Sequence, residues 1–339
     1  MLPKLLATTG LYPLNSNGVG KRHLLCGSGG SRAILGSAGF ILACEIAELT
    51  DWLTIGGISG GSIPTVLKAN GVPGKKLVRL GVGIDFTDLV TRHANPLSIL
   101  LAFLMKDRFE QTRPRQGVMN SEKLGEFIDQ LVPEWPKNFW TMAVVGQTQL
   151  IFTADGVYQF AADGSYRQLS DKPAPLGLAI RASCAVPGII DAPYFLGKYL
   201  FDGALSWDGA CPSGVLIRNY GATPESIFAC DVSDPQEDKT FWNRWKLRFW
   251  RMLCGKRCVV PAARPTLGTE RVFTVRPPTA TFSALQFKLT EQQKWEAVHQ
   301  GFTAAVRELE QAGHLTGAKL EEAQFLAADV ERLKAYCAD

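Results

Sequence analysis

A chain of 339 residues, 46% hydrophobic and 20% charged, is long enough to enclose one large core. It is too apolar for a disordered segment and too rich in Gly and Pro for a coiled coil. Its net charge of +4 is local in origin. Lys239–Cys258 carries seven Lys or Arg and no Asp or Glu, and the remainder sets 29 basic against 32 acidic residues, which argues against a nucleic-acid-binding domain and for one anionic partner surface.

Along the chain, His23–Cys26 reads as a buried strand running into the loop Gly27-Ser28-Gly29-Gly30-Ser31-Arg32. A helix follows, with Ile34, Ala38, Ile41, Leu42 and Cys44–Ile46 at helical spacing, and then a second strand at Trp52–Ile55. That strand enters Gly56-Gly57-Ile58-Ser59-Gly60-Gly61, and a short helix over Ser62–Ala69 stops at Asn70-Gly71 and Pro73. Thr141–Val145 and Leu150–Thr153 read as paired strands, and Tyr199–Phe201 as a strand opening onto Asp202-Gly203-Ala204. Further strands are expected at Ile227–Cys230 and Val272–Val275. A helix begins at Thr290, where Thr290 and Gln293 have capping-box spacing. The alternation predicts an α/β sandwich. No repeat or low-complexity linker divides it, and the final third is expected to cover the core.

Gly57-Ile58-Ser59-Gly60-Gly61 has the form G-x-S-x-G, in which small flanking residues allow a sharp turn to present a serine hydroxyl. Alone, the pentapeptide is a weak signal in a glycine-rich chain; its place between a strand and a helix gives it weight. A helix N-terminus at Ser59 offers free N–H groups where an oxyanion would form, with Gly60 one donor and the Gly27–Gly30 loop a neighbouring source. That loop is a poor dinucleotide site. Arg32 stands where the third small residue of G-x-G-x-x-G belongs, and the second strand ends in Gly57 and Ser59 rather than in an acidic ribose ligand.

The four histidines lack a local catalytic signature: His23 enters a strand, His93 lies in a polar loop, His299 borders an apolar helix face and His314 sits in a turn. Asp202, at a strand end before Gly203, is better placed to meet a serine at another strand end. Asp208-Gly209 is a near duplicate, and both Asp-Gly pairs also read as ordinary turns.

These blocks resemble the patatin-like phospholipases, over about Arg22 to Pro212. Leu24–Ala33 is similar to that family's glycine-rich loop with Arg32 in its basic position, and Gly57–Gly61 to its nucleophile elbow. Arg181–Gly188 followed by Phe201-Asp202-Gly203-Ala204 is similar to the stretch that carries its aspartate. The resemblance implies a three-layer α/β sandwich with a mainly parallel central sheet. A catalytic core would span 20–215, with a helical C-terminal region over 216–339 packed on it. It also implies Ser59 as nucleophile, Asp202 as base and the N–H groups of Ser28, Gly29, Gly30 and Gly60 as oxyanion donors, supported by Arg32, Gly57, Gly61 and Gly203. Ser28 and Ala33 replace glycines usual in the loop. The activity implied is hydrolysis of membrane glycerolipid esters, with no metal or other cofactor.

Phe241–Leu253 (FWNRWKLRFWRML) places Trp242, Trp245 and Phe249 on one helical face with Arg244, Arg248 and Arg251 beside it. This arrangement suits an anionic membrane surface, or aromatics packed on the protein's own core. Ile99–Met105 reads as a lid or a buried helix, and Cys254 as an acyl acceptor or a plain thiol. Leu5-Leu6-Ala7 is too short for a signal-peptide core and no apolar run reaches the ~18 residues of a membrane span. With eight cysteines and no CxxC pair, a cytoplasmic or peripheral membrane location is expected. Two rival readings are a Ser59–Asp202–His299 or Ser59–Asp202–His314 esterase and a membrane-binding scaffold without activity.

Overall fold

The computed structural model describes residues 22–92, 117–146, 148–161, 165–233, 268–278 and 282–338. The segments around Ile99–Met105, His93, Phe241–Leu253 and Cys254 lie outside them, and with them Trp242, Arg244, Trp245, Arg248, Phe249 and Arg251.

Strand β1 (Arg22–Cys26) leads into helix α1 (Gly30–Ile46). β2 (Trp52–Gly57) leads through a 3-10 turn at Ser59–Gly61 into α2 (Ser62–Ala69). Then come α3 (Gly74–Gly83), α4 (Phe86–Leu89), β3 (Thr91–Arg92), β4 (Gly117–Asn120) and α5 (Glu122–Leu131). A meander of β5 (Phe139–Val145), β6 (Thr148–Thr153), β7 (Gly156–Ala161) and β8 (Tyr166–Ser170) precedes α6 (Leu176–Ser183) and β9 (Gly188–Ile190). The hairpin β10 (Tyr194–Phe195) and β11 (Lys198–Tyr199) is followed by β12 (Phe201–Asp202), α7 (Ser213–Tyr220), β13 (Ile227–Cys230) and β14 (Phe273–Val275). Three helices end the chain: α8 (Glu291–Gln311), α9 (Gly317–Ala327) and α10 (Val330–Ala338).

The central sheet runs β14-β13-β1-β2-β5-β6-β7-β8, with β12 also paired to β5. From β14 to β5 the neighbours are parallel. Beyond β5 the meander is antiparallel. Two strands from the chain beyond residue 215, β13 and β14, are thus members of the sheet that holds Ser59. The expected strand over Tyr199–Phe201 is broken in two: Tyr199 pairs back to Tyr194 within the hairpin, while Phe201 and Asp202 pair with Val144 and Ala143 of β5.

Strand alternation sends successive side chains to opposite layers. Leu24, Cys26, Phe228 and Cys230 join the core under α1, whereas Leu25, Ile227 and Ala229 join the one under α7. Ala143, Leu150 and Phe152 form a third cluster with Ala179 and Ala182 of α6. Helices on both faces of the sheet complete an α/β sandwich.

Helix α1 is buried on nearly every side, from Ala33 and Leu35 through Phe40 and Leu42 to Cys44. Such a helix needs no polar face. The sheet lies on one side of it and α8 on the other, where a methyl at Gly301 would run into the Gly36 carbonyl and one at Gly39 into the Val298 carbonyl. α8 begins with the capping box expected: the Thr290 side chain accepts from the Gln293 N–H at 3.2 Å, and the Gln293 side chain accepts from the Thr290 N–H at 3.0 Å.

Gly301→Ala therefore lowers unfolding free energy by about 1–3 kcal/mol in urea titration, through overpacking. Gly83→Ala, whose methyl meets open space at the end of α3, leaves it unchanged or raises it by up to about 1 kcal/mol. Equal losses at both positions would show that the helix contact is not the tight one.

Candidate active site

Ser59 sits where β2 turns into helix. Ile58 is still extended, but Ser59 has φ +52°, in the left-handed region that costs a non-glycine residue about 1–3 kcal/mol. Neighbours hold it there. The Ser59 N–H donates to Ser183 Oγ at 2.9 Å, and its carbonyl accepts from Ser62 Oγ at 2.5 Å. Thr141 Oγ1 donates to the Gly57 carbonyl at 2.8 Å and Thr65 Oγ1 to the Gly61 carbonyl at 2.7 Å. These four hydroxyls were not singled out from the sequence; the only local sign was Ser183 within the Arg181–Gly188 block. The close approach of backbones also explains Gly60, where a methyl would strike the Gly30 carbonyl.

Asp202 arrives on β12, which pairs along the same edge of β5 as β2, just past its end. Its N–H donates to the Ala185 carbonyl at 3.0 Å. One carboxylate oxygen accepts from Ser59 Oγ at 2.7 Å and the other from the Ala204 N–H at 2.8 Å. The side chain is 2% exposed. Burial pushes its pKa up to about 6, against the lowering effect of those two hydrogen bonds. Asp208, the near duplicate, is instead paired with Arg218 and accepts from Gln149 Nε2 at 2.6 Å.

The described histidines have other partners. His23 Nδ1 lies 2.8 Å from Thr54 Oγ1 between β1 and β2, and burial lowers its pKa to about 4. His299 Nε2 meets the Ala327 carbonyl at 2.9 Å, and His314 packs against the rings of Phe228 and Phe273. The Asp202 carboxylate reaches Ser59 directly, with no imidazole between them.

Beside the pair is a cavity of about 270 Å³ with largely apolar walls. Gly29, Gly30 and Gly60 line it, and their N–H groups make no hydrogen bond among the described residues. Ser28 differs from the expectation: it borders the cavity, but its N–H already donates to the Ala210 carbonyl at 2.8 Å. Arg32, one turn later, is buried in α1, and Gly57, Gly61 and Gly203 are buried around the turn and the aspartate. Cys184 also borders the cavity; burial and then the nearby Asp202 raise its pKa well above the ordinary thiol value, so it stays protonated.

A serine hydroxyl on a desolvated carboxylate, facing unbonded N–H groups and an apolar space, can attack a carbonyl and hold the resulting oxyanion. Among the described residues no three His, Cys, Asp or Glu side chains are grouped to hold a metal ion, and no helix is long and apolar enough to cross a membrane.

The raised Asp202 pKa has a thermodynamic sign. The folded state keeps this proton up to about pH 6 while the unfolded chain loses it near 4, so this group's contribution to stability falls as pH rises between those values. Asp202→Asn is therefore more stable than the parent at pH 7.5, by up to about 3 kcal/mol, and the difference closes toward pH 4. His23 changes stability in the opposite direction over an overlapping window, but equally in both proteins. Urea titrations at the two pH values check this; a variant less stable at pH 7.5 contradicts it.

A patatin-like phospholipase family model matches residues 24–210, the stretch from β1 to just past Asp202. No curated protein matches the sequence. Among solved structures, the crystal structure of VipD from Legionella pneumophila is similar with TM-score 0.45 and 13% identity, over 86% of this chain and 67% of that one.

Proposed function

This chain belongs to the patatin-like phospholipase family of lipid acyl hydrolases, and from that premise we propose that it cleaves carboxylic esters of membrane glycerolipids through a Ser59 acyl-enzyme with Asp202 as general base. The observation that carries the reading is the 2.7 Å hydrogen bond from Ser59 Oγ to a buried carboxylate, on a strained turn facing an apolar cavity.

In the proposed cycle, Ser59 Oγ attacks the ester carbonyl as its proton passes to Asp202. The N–H groups of Gly29, Gly30 and Gly60 receive the oxyanion. Collapse breaks the ester bond, and the departing alcohol takes the proton from Asp202. Water then gives a proton to Asp202 and attacks the acyl carbonyl; fatty acid leaves and Ser59 recovers its proton. A pKa near 6 suits this work, because the carboxylate is mostly ionised at neutral pH yet more basic than an ordinary aspartate. The enzyme would work from the cytoplasmic side as a peripheral protein, with the basic aromatic stretch Phe241–Leu253 meeting an anionic lipid surface.

The test is fatty-acid release from phospholipid and galactolipid vesicles, with vesicle binding recorded in parallel. Ser59→Ala and Asp202→Asn bind as the parent does but lose at least about a hundredfold in release. Parent-like release by Ser59→Ala would overturn the reading, and binding by a parent that hydrolyses no lipid offered would favour a scaffold.

The pH dependence is a separate expectation. Asp202 must be ionised to accept the serine proton, so kcat/KM on a soluble ester falls about tenfold per pH unit below about 6. A flat profile from pH 7 to 5 would exclude Asp202 as the base.

A further inference from the structure

Part of the cavity wall comes from outside the family match. Ala284, Leu285 and Phe287, some seventy residues beyond it, border the same space as Ser59 and Asp202. They belong to an irregular segment, Phe282–Leu289, that crosses the glycine loop.

The segment is tied down at both ends. The Ser31 N–H donates to the Ala284 carbonyl at 3.0 Å, and Ser31 Oγ donates to the Gln286 carbonyl at 3.0 Å. Contact is close enough that a methyl at Gly30 would collide with the Ala284 carbonyl. At the far end the capping box starts α8, and the ammonium of the buried Lys294 donates to the Val82 carbonyl at 2.9 Å and the Ile84 carbonyl at 2.5 Å. Those carbonyls lie at the end of α3, just before Phe86, which lines the cavity from α4. One helix start therefore anchors two sides of the space.

The segment is held by hydrogen bonds to its backbone, with Phe287 also packed against the main core. The anchors are backbone carbonyls and Ser31, whereas Leu285 is 36% exposed and Phe287 is half-buried. We infer that Leu285 and Phe287 determine acyl-chain specificity, forming the wall that limits which fatty-acyl groups can lie beside Ser59. The inference rests on the acyl-hydrolase reading. In an apolar pocket a single methylene changes kcat/KM by about 10–200-fold, so a change of this wall is large enough to read.

The experiment measures kcat/KM for p-nitrophenyl butyrate and p-nitrophenyl palmitate in the full chain, with Ser59→Ala as the reference for turnover that depends on the site. Phe287→Ala raises the palmitate-to-butyrate ratio at least about tenfold, and Phe287→Trp lowers it similarly. Leu285→Trp, at an exposed position with little bearing on folding, also lowers it. Thermal melts accompany each variant. If Ser59-dependent turnover persists and the ratio stays within about twofold of the parent in Leu285→Trp and in every folded Phe287 variant, this inference fails and the acyl-hydrolase reading stands. If the parent shows no Ser59-dependent turnover of either ester, the acyl-hydrolase reading fails, and this inference with it.

Discussion

The left-handed backbone of Ser59 is the constraint on which the rest of the site depends. A serine in that conformation is costly in isolation, and it persists because the surroundings leave it little alternative. The Ser183 hydroxyl takes its N–H, the Ser62 hydroxyl gives to its carbonyl, and Gly60 lies against the Gly30 carbonyl with no room for a side chain. The turn thus positions two things at once. It lifts the serine oxygen toward Asp202, and it brings the start of α2 against the glycine loop that leads into α1.

Burial then supplies the electrostatics. In water an aspartate would be a weak base for an alcohol, whereas removal from solvent raises the basicity of Asp202 without a second charged group beside it. The same desolvation that equips the site also works against the fold at neutral pH, a tension common where activity and stability compete. Cys184 shows the selectivity of this environment: the burial that strengthens a carboxylate as a base keeps the neighbouring thiol protonated and inert.

Much of this was legible in the sequence, because the informative features are local. A strand, a glycine-flanked serine and a helix start follow one another within about fifteen residues, and the Asp202 motif is equally compact. The block around Asp202 already sets it apart from Asp208 in the sequence, but what Asp208 does instead does not show there, since its ties to Arg218 and Gln149 link residues distant in the chain. The commitment of the Ser28 N–H to Ala210 leaves no trace in the sequence for the same reason. β8 gives little sequence signal because Tyr166–Ser170 is a largely exposed edge strand with few apolar residues. Leu285 and Phe287 sit in a segment with no periodicity, and only the fold returns it to the glycine loop.

One feature of the sheet also sets the tolerance of the site. Gly57, two residues before the serine, is in register with Thr141, while Asp202 is in register with Ala143. Both members of the pair are therefore gauged against a single strand, at marks two residues or about 7 Å apart. β5 acts as a ruler with one partner laid along each of two nearby graduations. A shift of β5 as a whole would carry both marks with it. A one-residue slip of β12 would change the graduation and turn the aspartate to the opposite face.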